Sequence, residues 1–101
     1  MNNQLLKQVQ KMQKEMVALQ KEIDETVFSA SAGGVVTVKM LGTKELQAIN
    51  VTDDFEVESP EDIKMLCEMI VAATQSVTRD IDKVTQEKMG KYSSMLGGGL
   101  F

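Results

Sequence analysis

The side chains best placed to do chemistry in this 101-residue chain are lysines that repeat at helical spacing. Lys7, Lys14 and Lys21 recur every seven residues, so on a helix they form one row with steps of about 10.5 Å. Ammonium groups in such a row can neutralise phosphates along a nucleic-acid backbone and release counterions. Lys11 lies beside the row, and all four side chains fall opposite the apolar residues of the same segment. The spacing therefore predicts a DNA-contact face on the first helix.

A second group of cations belongs to the long helix predicted in the C-terminal half. Arg79 and Lys83 fall opposite its apolar residues, and Lys88 and Lys91 gather near its end. No helix-turn-helix, zinc finger or stacking aromatic cluster accompanies them, so we expect phosphate contacts with weak sequence preference. Exposed lysines are also typical of an ordinary solvated helix face, which is the alternative interpretation. The candidate DNA-binding residues are Lys7, Lys11, Lys14, Lys21, Arg79, Lys83, Lys88 and Lys91.

Catalytic and metal-binding chemistry has little support in the sequence. The chain has no His, and Cys67 has no second cysteine with which to form a disulfide or a zinc site. The acidic run that includes Asp53 and Asp54 lacks the glycine and the terminal Glu of a calcium loop. No phosphate-binding glycine loop precedes a helix. We expect no catalytic residues, no metal and no cofactor, and we expect Cys67 to be a small buried hydrophobe.

The formal net charge of −4 is unevenly distributed along the chain. Residues 52–68 carry a net charge of −6, whereas residues 1–51 and 69–101 each carry +1. The average acidity therefore says little about either end of the chain. No apolar run approaches the ~20 residues of a membrane helix, the N-terminus lacks the apolar stretch of a signal peptide, and the single cysteine suits a reducing compartment. We expect a cytoplasmic protein without membrane contact.

The hydrophobic periodicity predicts a helix, an antiparallel three-stranded meander and a second long helix, in a single α+β domain over residues 1–101. Gly33-Gly34 has the form of a two-residue hairpin turn. Ser59, Pro60 and Asp62 form a helix-start signal with a capping box. The predicted bounds are about 3–26 for the first helix, about 27–32, 35–41 and 46–51 for the strands, about 60–91 for the second helix, and 92–101 for a flexible tail.

Both helices carry apolar residues at heptad spacing, which predicts that each has a helical partner. The first seam comprises Leu5, Val9, Met12, Met16, Leu19 and Ile23. The second seam comprises Ile63, Cys67, Ile70, Thr74, Val77, Ile81 and Val84. Two arrangements satisfy both seams: the two helices pack on each other as an antiparallel pair, or each helix pairs with its copy in a dimer. The spacing does not choose between them.

The order and spacing of four segments resemble the YbaB/EbfC nucleoid-associated proteins. These segments are the opening KQVQKMQKEM (Lys7 to Met16), the turn and strand from Gly33 to Val38, the stretch from Ile63 to Ala73, and the close from Lys88 to Leu100. The resemblance implies a homodimer, intertwined or joined through its sheets, whose helices project like tweezers. It also implies binding of double-stranded DNA with little or modest sequence preference, in the bacterial nucleoid.

Two functional hypotheses follow. The first is a non-enzymatic, homodimeric nucleoid-associated protein that binds duplex DNA, with effects on DNA conformation and gene expression as a further expectation. The second is a coiled-coil-like adaptor that docks a protein partner in DNA repair or replication without touching DNA. Exposed acidic residues and diluted basic faces favour the second hypothesis, and a partner that stays cross-linked after nuclease treatment would distinguish it from the first.

Overall fold

The computed structural model describes residues 3–95 and the side chains of residues 3–92. Its elements, in chain order, are helix α1 (Asn3–Glu25), strands β1 (Val27–Ala32), β2 (Val36–Leu41) and β3 (Leu46–Val51), and helix α2 (Pro60–Met95). This is the predicted α+β architecture. The flexible tail predicted over 92–101 is wrong at its start, because α2 continues to Met95 and Tyr92 is buried. Residues 96–101 of that predicted tail lie outside the described residues.

The three strands form an antiparallel sheet in the order β1-β2-β3. Gly33 and Gly34 both have positive φ angles, of 61° and 67°, which side chains with a Cβ rarely adopt. The predicted two-residue turn is one residue too short, because Ala32 pairs with Val36 and the connection therefore includes Val35. Pairing between β2 and β3 shifts register between Lys39 and Met40, which marks a β-bulge.

One face of the sheet packs against α2 and forms the core. Alternate residues of β2 (Val36, Val38 and Met40) are buried against Ala73, Val77 and Ile81 of α2. The opposite face is mostly polar, apart from Val27 and Leu41 at one end; on it Ser31 and Thr37 share a hydrogen bond of 2.8 Å between their hydroxyl groups. A three-stranded sheet is marginally stable alone, so the burial against α2 stabilises both elements.

The start of α2 is capped by the signal that the sequence contains. The Asp62 carboxylate accepts hydrogen bonds from the backbone N–H groups of Ser59, at 3.1 Å, and of Glu58, at 2.8 Å. In return, the Asp62 N–H donates to the backbone carbonyl oxygen of Ser59 at 3.1 Å. Pro60 occupies the first helical position, where a missing N–H has no consequence. The cap fixes the point at which the acidic loop between β3 and α2 (residues 52–59) ends and α2 begins.

Helices α1 and α2 pack on each other within one chain, antiparallel, which is one of the two arrangements the sequence left open. At one end of the contact the Tyr92 hydroxyl donates to the Glu15 carboxylate at 3.4 Å. At the other end Ile23 is buried, and the Gly42 N–H donates to the Thr26 carbonyl oxygen at 3.0 Å. The described chain measures 71 × 21 × 16 Å along its principal axes. The helix pair, which we call the arm, therefore projects from the sheet and the part of α2 that covers it, which we call the body.

The predicted second seam is wrong at its start. Ile63 is 46% exposed and Cys67 is also exposed, whereas Leu66 packs against the core and Ala73 is fully buried. A heptad pattern assumes a supercoiled helical partner, but the partner of this half of α2 is a sheet. A straight helix with 3.6 residues per turn presents residues at steps of three and four to that sheet, here Leu66, Met69, Ala73, Val77 and Ile81.

The exposed part of the seam lies on the flank of α2 that is nearer to β3. Helix α2 runs in the direction of β2, because Met69 lies beside Gly33 at one end and Asp82 pairs with Lys44 at the other. The side chains of even-numbered residues of β2 point toward α2. Gly42, the next even-numbered position after β2, donates its N–H to Thr26 just before β1, so the backbone groups of even-numbered residues point toward β1. The direction of α2 and the position of β1 are thus both known. Because α2 is a right-handed helix, Ile63 and Cys67 must then lie on its side toward β3.

Candidate nucleic-acid interface

All four lysines predicted on α1 are exposed in the structure. They lie away from the side of α1 that meets α2, where Met12, Met16 and Leu19 are half-buried and Ile23 is fully buried. The row from Lys7 to Lys21 extends for about 21 Å along the arm. This row can therefore approach a partner without displacing any packed side chain.

The four cations predicted on α2 are also exposed, although they do not share one face. Arg79 and Lys83 project from the side of α2 opposite the buried Val77 and Ile81. Lys88 follows the seam spacing but is exposed, and the Lys91 ammonium lies 4.9 Å from the ring centroid of Tyr92. That cation–π contact orients Lys91 at the point where Tyr92 reaches across to α1.

The antiparallel packing brings some of these cations to the same stretch of the arm and leaves others apart. Because Tyr92 contacts Glu15, Lys91 lies at the level of the α1 turns that carry Lys11 and Lys14. Lys7 lies about 12 Å beyond that level, toward the tip of the arm. Arg79 and Lys83 lie about 14 to 20 Å from it in the opposite direction, toward the body. Six of the eight residues therefore line the arm, whereas Arg79 and Lys83 lie where α2 packs on the sheet.

The two helices differ in the number of acidic side chains that accompany their cations. Residues 3–21 of α1 contain four lysines and one carboxylate, Glu15, which is occupied by its hydrogen bond to Tyr92. Residues 79–91 of α2 contain four cations and three carboxylates, and one of these, Asp82, pairs with Lys44 at 2.7 Å. The net charge is thus +3 on the first stretch and +1 on the second. The excess of positive charge on the arm is therefore greatest on α1 before Glu22, since Glu22, Asp24 and Glu25 bring the net charge of the whole helix to zero.

The residues that sequence reasoning missed are uncharged. Gln10, Gln13, Val17 and Ala18 line a shallow depression of about 600 Å³ on α1, together with Lys14 and Lys21. A search of the sequence for charged residues alone does not select Gln10, Gln13, Val17 or Ala18. Their signal in the sequence is the position of Gln10 and Val17 three residues from cations of the lysine row.

The described residues offer neither a metal site nor a membrane-spanning helix. Among residues 3–95, no three His, Cys, Asp or Glu side chains are grouped so that they could hold a metal ion. Over the same residues, neither helix combines the length and the apolarity needed to cross a membrane. The acidic loop before α2 lies at the far end of α2 from the arm, about 35 Å along the helix from Pro60 to Lys83.

A comparison with known protein families matches residues 1–96 to the YbaB/EbfC DNA-binding family. The chain belongs to this family. The match spans the arm, the sheet and the whole of α2, so every element that carries a candidate residue is included.

Curated relatives of this YbaB/EbfC chain are named nucleoid-associated proteins. It is 43% identical over 100 residues to one from Agathobacter rectalis, which is 98% of this chain and 87% of the relative. It is 44% identical over 99 residues to one from Clostridium novyi (97% and 82%) and 45% identical over 92 residues to one from Oceanobacillus iheyensis (90% and 86%). The relatives are bacterial, and the matched residues cover 82% to 87% of their length.

Among solved structures, an uncharacterized protein from Helicobacter pylori has a similar fold. The TM-score is 0.60 at 20% identity, over 78% of this chain and 90% of that protein. This likeness supports the fold of the YbaB/EbfC chain and carries no functional conclusion.

Proposed function

We propose that this YbaB/EbfC protein is a homodimeric, nucleoid-associated protein that binds duplex DNA through its arms, mainly by phosphate contacts. The observation that carries the proposal is the exposed lysine row on α1, where residues 3–21 contain four lysines and one carboxylate, which is hydrogen-bonded to Tyr92. It acts in the nucleoid of the bacterial cytoplasm. Its effects on DNA conformation and gene expression follow from occupying the duplex, with weak sequence preference.

The mechanism is electrostatic. Lysine and arginine side chains neutralise phosphates, and the counterions that leave the DNA provide the driving force. Such contacts position a protein on the duplex without reading base edges, because the phosphate backbone is the same at every step. A protein of this kind coats DNA at many sites.

The homodimer is proposed from an apolar surface that one chain leaves open. Ile49 pairs with Val38 and Val51 with Val36, so both share the core-facing side of the sheet, yet they are 41% and 38% exposed. Helix α2 covers β1 and β2 and stops short of this strand. On the flank of α2 nearer to β3, Ile63 is also 46% exposed. A second copy covers these apolar residues by two-fold symmetry, so that the contact set of the arms is doubled.

The first experiment is a titration of a fluorescent, non-repetitive duplex with the full-length protein, read by anisotropy at several salt concentrations. For every four phosphates neutralised, the slope of log affinity against log salt is expected to be about −3.6. Replacing Lys7→Glu and Lys11→Glu together reverses two charges per chain at the distal part of the arm. We expect affinity at 0.15 M salt to fall by at least about tenfold.

The matched control reverses two lysines of the body, Lys39→Glu and Lys64→Glu, which are also exposed. It changes net charge equally, and we expect its affinity to stay within about threefold of the parent because the screening length is about 8 Å at physiological salt. Light scattering establishes that both variants remain dimers. Equal losses from the two variants would refute the arm as the contact surface. No binding by the folded parent at low salt would refute DNA binding and favour the adaptor that docks a repair or replication protein.

A further inference from the structure

The α1 face that is turned away from α2 contains a depression with a polar rim and an apolar floor. The rim consists of the long side chains of Gln10, Gln13, Lys14 and Lys21, and the floor consists of Val17 and Ala18. Val17 is 71% exposed, so no element of the described chain covers it. The packing of this chain therefore leaves the depression without an occupant.

The groups around the depression match one strand of a nucleic-acid backbone. Lysine ammonium groups attract phosphates, and a glutamine amide offers two N–H donors to phosphate oxygens. A floor formed by one methyl group and one isopropyl group can contact the CH groups of a deoxyribose. Lys14 and Lys21 are about 10.5 Å apart along the helix, which equals the rise of about three nucleotides on one strand.

The charge around the depression favours an anionic occupant. Within residues 3–21 the single carboxylate is Glu15, and its bond to Tyr92 draws it toward α2 and away from this face. On α2, by contrast, Asp80 directly follows Arg79, and Asp82 directly precedes Lys83. The residues that line the depression include two lysines and no carboxylate, and the acidic residues that end α1 (Glu22, Asp24 and Glu25) follow Lys21 on the side toward the body.

We propose that this depression on α1 is the seat of a DNA strand, with Gln10 and Gln13 donating hydrogen bonds to phosphates and Val17 and Ala18 in contact with sugar. The inference rests on the proposed DNA-binding function and deepens it, since it assigns uncharged residues to the contact and ranks α1 above α2. The occupant is the sugar–phosphate backbone of duplex DNA.

The first test replaces Gln10→Glu and Gln13→Glu together, in the full-length protein. Glutamate has nearly the size and the helix propensity of glutamine, so the helix is kept while two donors become negative acceptors. We expect affinity for the fluorescent duplex to fall by at least about tenfold at 0.15 M salt. The control, Gln75→Glu with Gln86→Glu, makes the same charge change at two exposed positions of α2. Its affinity is expected to change by less than about threefold.

The second test fills the floor without changing charge. Ala18→Leu adds bulk with a good helix former, and we expect affinity to fall about fivefold with an unchanged salt slope, because no phosphate contact is removed. Ala72→Leu is the control at an exposed alanine of α2.

A parent that binds DNA while both α1 variants bind as their controls do would overturn this assignment and leave the general function intact. The assignment also fails if the α1 variants change only the oligomeric state, since the depression would then hold another copy of the chain. A parent that binds no DNA removes both proposals.

Discussion

Gly42 is the residue at which the arm and the sheet come closest together. Its N–H bonds to Thr26, and a Cβ built at this position would overlap the carbonyl oxygen of Ile23 and lie 3.1 Å from the Cα of Asp24. All three neighbours belong to backbone at or just beyond the end of α1, so they cannot move aside as a flexible side chain could. The glycine is required here by space, whereas Gly33 and Gly34 are required by their φ angles.

Replacing Gly42→Ala is therefore expected to destabilise the protein by at least about 2 kcal/mol, because the end of α1 must move away from β2. The measurement is the free energy of unfolding from urea denaturation at fixed protein concentration. Gly90→Ala is the control, since nothing lies within 4 Å of a Cβ at this helical position. It should stabilise the protein by about 0.5 to 1 kcal/mol through helix propensity. Equal stability of the Gly42→Ala protein and the parent would show that the contact between α1 and β2 is not tight.

At the scale of elements, β3 and the first turns of α2 carry the exposed apolar residues through which we propose dimerisation. Replacing Ile49→Lys puts an ammonium group where the partner's apolar side chains would have to bury it, and burying an unpaired charge is costly. We expect monomers at micromolar concentration in sedimentation experiments. Asn50→Lys is the matched control, because Asn50 pairs with Thr37 on the polar face of the same strand. If both variants sediment as the parent does, the interface lies elsewhere.

The sequence predicted the elements well because the hydrophobic period changes between them. Five of the six seam residues of the first helix lie where a packed seam requires, but Leu5 is 56% exposed because α1 extends beyond the described end of α2. The same reasoning failed for Ile63 and Cys67, since one helix meets two different partners, a sheet along its first half and α1 along its second. Heptad spacing carries no information about where that change occurs. The candidate cations were identified by spacing, whereas the depression on α1 was not, because its floor is uncharged.

At the scale of the whole molecule, the acidic segment over residues 52–68 and the lysines of α1 lie at opposite ends of a 71 Å particle. This separation is several screening lengths at physiological salt. We expect the exposed-loop variant Asp53→Asn, Asp54→Asn and Glu56→Gln to change DNA affinity by less than about twofold at 0.15 M salt. At 0.01 M salt, where the screening length is about 30 Å, we expect affinity to rise about threefold or more. A large rise at 0.15 M salt would mean that DNA passes near the body.

Helix α2 belongs to both the body and the arm, and between Pro60 and Gly90 no proline or glycine interrupts it. Sharp helix kinks almost always occur at such residues or at helix irregularities, so the arm has no joint of this kind where it leaves the sheet. In the proposed dimer, each arm is thus a continuation of the helix that lines the subunit contact. The gap between the two tips is then set by the angle at which the bodies meet. For that proposed dimer we therefore expect a fixed distance between the two tips, so that the width of the bound partner is a criterion for binding alongside charge.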